Sequence, residues 1–212
     1  MISRPPWPGS GAAGGYVFAH DPDIPVREGQ SFWLPEVSPG TLILGPAPPG
    51  FQVAFIDDPE RFGVLLADRE DADGREWVIN DGSGELHIRL RRGTPLMRRA
   101  IILPPDDVYI LRLNVAKRFM RRLHGHSIQL LPPALRIRPP QRRLFIQLLH
   151  TADVVAAGGG PREVTSFVLK DRQASLPSIE WKDSPVRKQA DRLIGRAKAL
   201  VESDYLKILQ GH

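Results

Sequence analysis

The chain has 212 residues, of which 42% are apolar and 25% are charged, and it contains no cysteine. These values exclude wholesale disorder, a disulfide framework, a thiolate nucleophile and a Cys-ligated metal centre. No apolar run reaches the ~18 residues that a membrane-spanning helix needs, and the N-terminus lacks the apolar core of a signal peptide. We therefore expect a soluble, cytoplasmic protein that makes no membrane contact.

Charge is distributed unevenly along the chain. Residues 1–86 carry a net charge of −9, whereas residues 87–212 carry +14. Residues 111–150 alone hold nine Lys or Arg and no acid. Such asymmetry is typical of proteins that bind nucleic acid or another anionic surface. The alternative is that the two halves neutralise each other across an internal interface.

The first 30 residues are predicted to be a flexible arm. Residues 1–50 contain 10 of the 21 prolines and 8 of the 19 glycines, a density that disfavours regular structure. The segment Gly9–Gly14 matches G-x-G-x-x-G, the glycine pattern of dinucleotide-binding turns. Prolines precede it and no helix follows it, so the pattern indicates a linker instead.

Residues 31–130 are predicted to be a β-rich domain that ends in a helix and mediates oligomerisation or partner contact. The turn Asp81-Gly82 favours a hairpin. The candidate strands, which should form a small antiparallel sheet, are Thr41–Leu44, Phe51–Phe55, Val64–Ala67, Glu76–Asn80, Glu85–Arg91 and Arg99–Leu103.

A basic helix should link this sheet to the C-terminal part. Asp106 is a candidate N-cap, and apolar residues recur at helical spacing from Asp107 to Leu123. Arginines and a lysine, Arg112 and Arg118 among them, are expected on its surface. Residues 131–140 are predicted to be a stiff, Pro-rich connector.

Residues 141–212 are predicted to fold as three helices in a variant helix-turn-helix. The predicted helices span 141–155, 162–169 and about 184–203, with Ser184 as the last N-cap. We expect Tyr205, Leu206 and Leu209 to fold back as a closing turn. The connection between the second and third helices is about a dozen residues, longer than the three or four of a standard turn, and this length makes the motif a variant.

The three helices carry cations where a DNA-binding motif needs them. The second helix begins after Gly158-Gly159-Gly160, so its free amides and Arg162 would hold a phosphate. The third helix presents Arg187 and Lys188 in its first turn and Arg192 one turn later, where arginine reads guanine or grips phosphate. Trp181 and Lys182 lie just before it. The alternative is an ordinary solvated helix face.

Enzymatic and metal sites have weaker support. His124 and His126 offer two nitrogens but no third ligand at a recognised spacing. The carboxylates of Asp57, Asp58 and Glu60 lie in a predicted solvated loop, and a two-metal nuclease there is the enzymatic alternative. No hydrolase, metalloprotease or nucleotide-binding motif is present. We predict a non-enzyme without a cofactor or metal ion.

Several segments of the C-terminal half resemble the RovC-type DNA-binding domain family of bacteria. These segments are Arg142-Arg143-Leu144, Pro161–Val164, Glu180–Arg187, Arg192–Ile194 and Tyr205–Leu209. Phe32–Glu36 and the helix near 111–123 are similar to longer members. The segment Thr165–Lys170 departs from the family, whose second helix is often rich in alanine and ends in Phe-Gly.

The resemblance implies an α+β protein whose variant helix-turn-helix binds double-stranded DNA. Such proteins activate type VI secretion genes or control transfer of integrative conjugative elements, and some members are antiactivators that bind another regulator instead of DNA. The expected function is therefore sequence-specific transcription activation by a homo-oligomer, with RNA polymerase or another regulator as a further partner. The site residues implied are Arg162, Thr165, Trp181, Lys182, Ser184, Arg187, Lys188 and Arg192.

Overall fold

A computed structural model describes residues 31–53, 55–93 and 97–212. The predicted arm 1–30 and the segment Gly9–Gly14 lie outside the described residues. The fold class is α+β, as predicted: a five-stranded sheet comes first along the chain and helices follow it. No helix within the described ranges is long and apolar enough to cross a membrane.

The sheet is mixed, whereas the sequence predicted a purely antiparallel one. Its strands are β1 (Thr41–Pro46), β2 (Val64–Asp71), β3 (Gly74–Asn80), β4 (Glu85–Arg91) and β5 (Arg99–Ile102). They are arranged in the order β2-β3-β4-β1-β5. All neighbours are antiparallel except β1 and β4, which run parallel. This pair joins distant segments, so no local turn signal reports its direction.

The predicted hairpin at Asp81-Gly82 is confirmed. Its amide–carbonyl hydrogen bond joins Asp81 N to Gly84 O over 3.1 Å, between β3 and β4. Gly82 has φ +85°, a conformation that glycine adopts at no steric cost. The strand predicted over Phe51–Phe55 does not form in its described residues. Phe51 and Phe55 are 65% and 41% exposed, so their alternation does not mark a face that is buried in the core.

Helix α1 (Tyr109–Leu123) packs on the sheet. Its Phe119 ring lies 5.0 Å from the ring of Phe62, within an apolar core that β1, β3 and β4 also supply. The predicted cap Asp106 is wrong: the helix has no side-chain cap, and the Asp106 carboxylate instead accepts a hydrogen bond from Arg112 Nε at 2.8 Å.

Two arginines that the sequence placed on the surface of α1 are buried. Arg118 is 4% exposed, and it donates to Asp81, to Ser83 Oγ at 2.6 Å and to the carbonyl of Gln129 at 2.7 Å. Arg112 is equally buried and donates to the carbonyl of Pro35 at 2.9 Å. Part of the basic charge of the second half is therefore neutralised inside the protein.

The remaining helices are α2 (Pro139–Ala156), α3 (Pro161–Val164), α4 (Ser178–Asp183), α5 (Pro185–Ala199) and α6 (Tyr205–Leu209). The described chain divides into two compact units, which separate after Arg136. The first contains the sheet and α1 together with Ile208–His212, and the second is Ile137–Lys207.

Candidate nucleic-acid interface

The second unit is built around α2, α3 and α5. Their buried contacts come from Leu148 and Ala152 of α2, Val164 of α3, and Ala190 and Leu193 of α5. In α5 these buried positions recur every three or four residues, so one stripe of the helix packs inward and the rest faces solvent. This arrangement determines which cations of the helix are available to a partner.

A π-helical turn, Thr165–Leu169, continues α3 and is followed by a residue with an unusual backbone conformation. Lys170, which follows it, has φ +55°, an uncommon value for a residue other than glycine. The amide of Gly160 at the start of α3 donates to Glu163 Oε2 at 2.9 Å, and this bond is the main cause of a lowered pKa of Glu163. The Glu163 carboxylate therefore already accepts a hydrogen bond from one of the amides that the sequence predicted would bind a phosphate.

Arg162 holds the connection between α3 and α5. Its two terminal nitrogens donate to the carbonyls of Ala174 at 2.8 Å and Leu176 at 2.9 Å. Its guanidinium carbon also lies 5.0 Å from the centre of the Trp181 ring. The connection is thus a structured segment that includes α4, and the guanidinium is engaged inside the unit.

Three further predicted site residues are buried. Thr165 is fully buried, Ser184 is 5% exposed and Trp181 is 7% exposed. The prediction of Ser184 as N-cap is confirmed: its Oγ accepts from the amide of Arg187 at 3.3 Å and donates to the Trp181 carbonyl at 2.9 Å. Trp181 and Ser184 are thus hydrogen-bonded to each other directly before α5, and all three side chains are buried in this conformation.

The other predicted cations are at the surface. Lys182, Lys188 and Arg192 are exposed. Arg187 is half-buried, with one nitrogen donating to the Lys182 carbonyl at 3.2 Å and another 3.9 Å from the Asp191 carboxylate. Lys188 and Arg192 are therefore better placed than Arg187 to meet a polyanion.

Sequence reasoning did not include Arg196 among the site residues. Lys188, Arg192 and Arg196 follow one another at intervals of four residues, so they occupy successive turns on one side of α5. All three are exposed. We refer to these three residues as the cationic face of α5. The four-residue spacing was the signal that could have found Arg196.

The helix does not end where the sequence predicted. The expected closing turn of Tyr205, Leu206 and Leu209 is wrong, because a π-helical turn, Leu200–Asp204, carries the helical backbone from α5 into α6. A π-helical turn accommodates one extra residue without breaking the helix, so the backbone stays helical past the predicted end near Ser203.

A shallow cleft lies between α2 and the π-helical turn of α3. It measures about 460 Å³, and its lining includes Arg143, His150, Phe167 and Lys170. Phe167 is 68% exposed. His150 is also exposed. Among the described residues, no group of three or more His, Asp or Glu side chains is arranged to hold a metal ion.

Two protein families match parts of the chain. The second unit is a basic helical unit with an exposed row of cations, attached to a chain that also carries a small β-sheet unit. The model of the RovC DNA-binding domain, described as a T6SS transcription factor DNA-binding domain, matches residues 102–210. This match covers just over half of the chain.

The chain therefore belongs to the RovC DNA-binding domain family, and this membership indicates a DNA-binding transcription factor of T6SS genes. Residues 40–101 match a second family, described as a domain of unknown function (DUF7012). Neither the curated proteins nor the solved structures include a significant match to the chain. The two family matches meet within β5, between Ile101 and Ile102.

Proposed function

We propose that this protein is a sequence-specific transcription activator of a bacterial secretion or mobile-element transfer system, acting in the cytoplasm. The observation that carries the proposal is the cationic face of α5, exposed within the region that the family match covers. In this proposal α3 and α5 are the second and third helices of a variant helix-turn-helix. The domain division expected from the sequence, with residues 141–212 as the DNA-binding part, belongs to the same proposal.

Binding would combine two kinds of contact. Exposed cations neutralise phosphates and release counterions, which gives a salt-dependent attraction to any duplex. Lys188 and Arg192, near the start of α5, would then reach base edges, where a bidentate arginine contact discriminates by about 1–3 kcal/mol. The buried Trp181, Ser184 and Thr165 would contribute by holding α5 in place and not by contact.

One module of this size rarely supplies enough specificity, so we propose that copies associate on repeated half-sites. The exposed apolar side of α1 supports this association. Ile110, Leu113 and Met120 are 53%, 46% and 38% exposed, and their spacing puts them on one side of the helix. The association would be measured by light scattering: wild type should exceed the monomer mass, and Leu113→Glu should return it to the monomer.

The test of DNA binding is enrichment of genomic fragments on the purified full-length protein. A recurring sequence motif near secretion or conjugation genes is expected, followed by fluorescence anisotropy on that motif and on a scrambled duplex. Affinity for the motif should exceed that for the scrambled duplex by at least about 10³-fold, as is typical of specific binding. Equal affinity for the two duplexes would contradict sequence-specific recognition.

A second candidate function is that of an antiactivator that binds another regulator. The exposed Phe167, beside Arg143 and His150, favours it, because an exposed aromatic in a cleft is a common protein-contact feature. Phe167→Ala separates the two functions. It should leave DNA affinity unchanged if the protein acts on DNA, and it should abolish capture of the partner regulator if the protein is an antiactivator.

A further inference from the structure

Gly195 lies in the interior of α5 and is exposed. A Cβ added there would meet no heavy atom within 4 Å. Its φ is not in the left-handed region where glycine is favoured. Glycine is nonetheless among the poorest helix-forming residues. The fold therefore carries a destabilising residue at a position where neither space nor backbone conformation requires it.

The neighbours of Gly195 are the cationic face. Arg192 precedes it by three residues and Lys188 by seven, two intervals that place all three on one side of the helix. Arg196 is adjacent in sequence. The one acid within α5, Asp191, lies 3.9 Å from Arg187 and is partly neutralised by it. The exposed backbone at Gly195 therefore lies on a side of α5 that carries Lys188 and Arg192 together with a single acid, Asp191, four residues before it.

We infer that Gly195 is the point of closest approach between α5 and duplex DNA. With no side chain at this position, the helix backbone can lie against the sugar–phosphate chain while the surrounding cations contact phosphates on either side. This inference rests on the proposed function and adds to it. It makes the middle of α5, and not only its N-terminal turn, a contact surface.

A second copy of the chain is the other surface that could pack against an exposed glycine, since a missing side chain also allows two helices to approach closely. The charge of this face distinguishes a second copy from duplex DNA as the partner. The same face of a second copy would bring Lys188, Arg192 and Arg196 against their own counterparts, and like charges repel. A polyanion has the complementary charge, so the face fits DNA.

The test uses the full chain with Gly195→Ala and Gly195→Leu, and it measures thermal stability and DNA affinity side by side. Alanine is a better helix former and has room, so the unfolding temperature should rise by about 2 °C. DNA affinity should nevertheless fall, about threefold for Ala and about tenfold or more for Leu. Stabilisation together with weaker binding is the signature of a functional glycine.

The matched control is Ala156→Leu, which places the same leucine side chain at an exposed position in the last turn of α2. It should leave DNA affinity unchanged. If wild type binds its motif and Gly195→Leu binds equally well, the inference fails while the proposed function stands. Loss of self-association in Gly195→Leu with DNA affinity retained would also overturn the inference. If wild type binds no duplex at any salt concentration, both fail.

Discussion

The two units of this protein use basic residues in opposite ways. In the first unit Arg112 and Arg118 are each 4% exposed, and they donate hydrogen bonds to carboxylates, backbone carbonyls and the Ser83 hydroxyl. In the second unit Lys188, Arg192 and Arg196 are exposed along one side of α5. The net charge of a segment therefore does not measure its capacity to bind DNA, because buried arginines contribute to the count but not to the surface.

The sequence offered two explanations of the charge asymmetry, binding of a nucleic acid and neutralisation across an internal interface. Internal neutralisation accounts for part of it: Arg89 pairs with Asp71 at 2.7 Å, and Arg118 pairs with Asp81. These arginines belong to the basic half of the chain and the carboxylates to the acidic half. Neutralisation does not extend to the cationic face of α5. The predictions that follow separate paired from exposed cations, from the largest expected effect to the smallest.

The largest effect is expected for Arg118→Ala. Removing the guanidinium leaves the carboxylate of Asp81, itself 4% exposed, buried without its partner. Breaking a buried pair in this way costs about 3–5 kcal/mol. Urea unfolding would measure the loss of stability. The control is Lys117→Ala, which changes the exposed residue next to Arg118 on α1 and should alter stability by no more than about 0.5 kcal/mol. Equal effects of the two variants would contradict the assignment of Arg118 as structural.

Arg162→Ala is expected to destabilise the second unit by about 2–3 kcal/mol. It removes two hydrogen bonds to the carbonyls of Ala174 and Leu176 and the contact with Trp181. Hydrogen exchange in the connection between α3 and α5 should speed up, while the salt dependence of DNA binding should not change. A variant of normal stability with a shallower salt dependence would instead make Arg162 a phosphate contact, as the sequence predicted.

A smaller, pH-dependent effect is expected for Asp71→Asn. Two hydrogen bonds from Arg89, at 2.7 and 2.8 Å, are the main cause of a lowered pKa of Asp71. A carboxyl with a lowered pKa stabilises the fold above the ordinary value of about 3.9, and the stabilisation is lost as pH falls below it. The variant should therefore lose about 1–2 kcal/mol at pH 7.

The same variant should approach wild-type stability as the pH falls below the ordinary pKa of an aspartate and then through the lowered pKa of folded Asp71, because protonation removes the charge from the wild-type pair. Urea unfolding across an acidic pH series would measure this convergence. Asp73→Asn is the control, because its carboxylate makes no hydrogen bond or ion pair recorded within the described part of the chain. A constant difference between Asp71→Asn and wild type at all pH values would contradict the role given to this pair.

Local patterns predicted much of the secondary structure. Strand β4, the Asp81-Gly82 turn and the Ser184 cap depend on residues within a few positions of one another, and each forms as expected. Only the polar side of the β4 alternation differs, since Arg89 is buried. The parallel pairing of β1 with β4 depends on segments about 45 residues apart. No short-range signal encodes such a pairing, and this is why the sheet was predicted to be antiparallel.

The site was predicted less completely than the fold, for a related reason. Residue type and helical position identified Lys188 and Arg192, which are exposed, but also Trp181 and Thr165, which are buried. Whether a helix residue faces solvent depends on where the partner helices pack. Arg162 was placed on the right helix, but its partners lie 12 and 14 residues later in a connection whose course only the structure gives.

The most direct test of the central claim compares the salt dependence of DNA binding for two double variants. Lys188→Ala/Arg192→Ala removes two exposed cations of α5, whereas Arg91→Ala/Lys117→Ala removes two exposed cations of the first unit. Each lost phosphate contact lowers the slope of log K against log salt by about 0.9. The account predicts a slope shallower by up to about 2 for the α5 variant and an unchanged slope for the other. An unchanged slope for the α5 variant would contradict it.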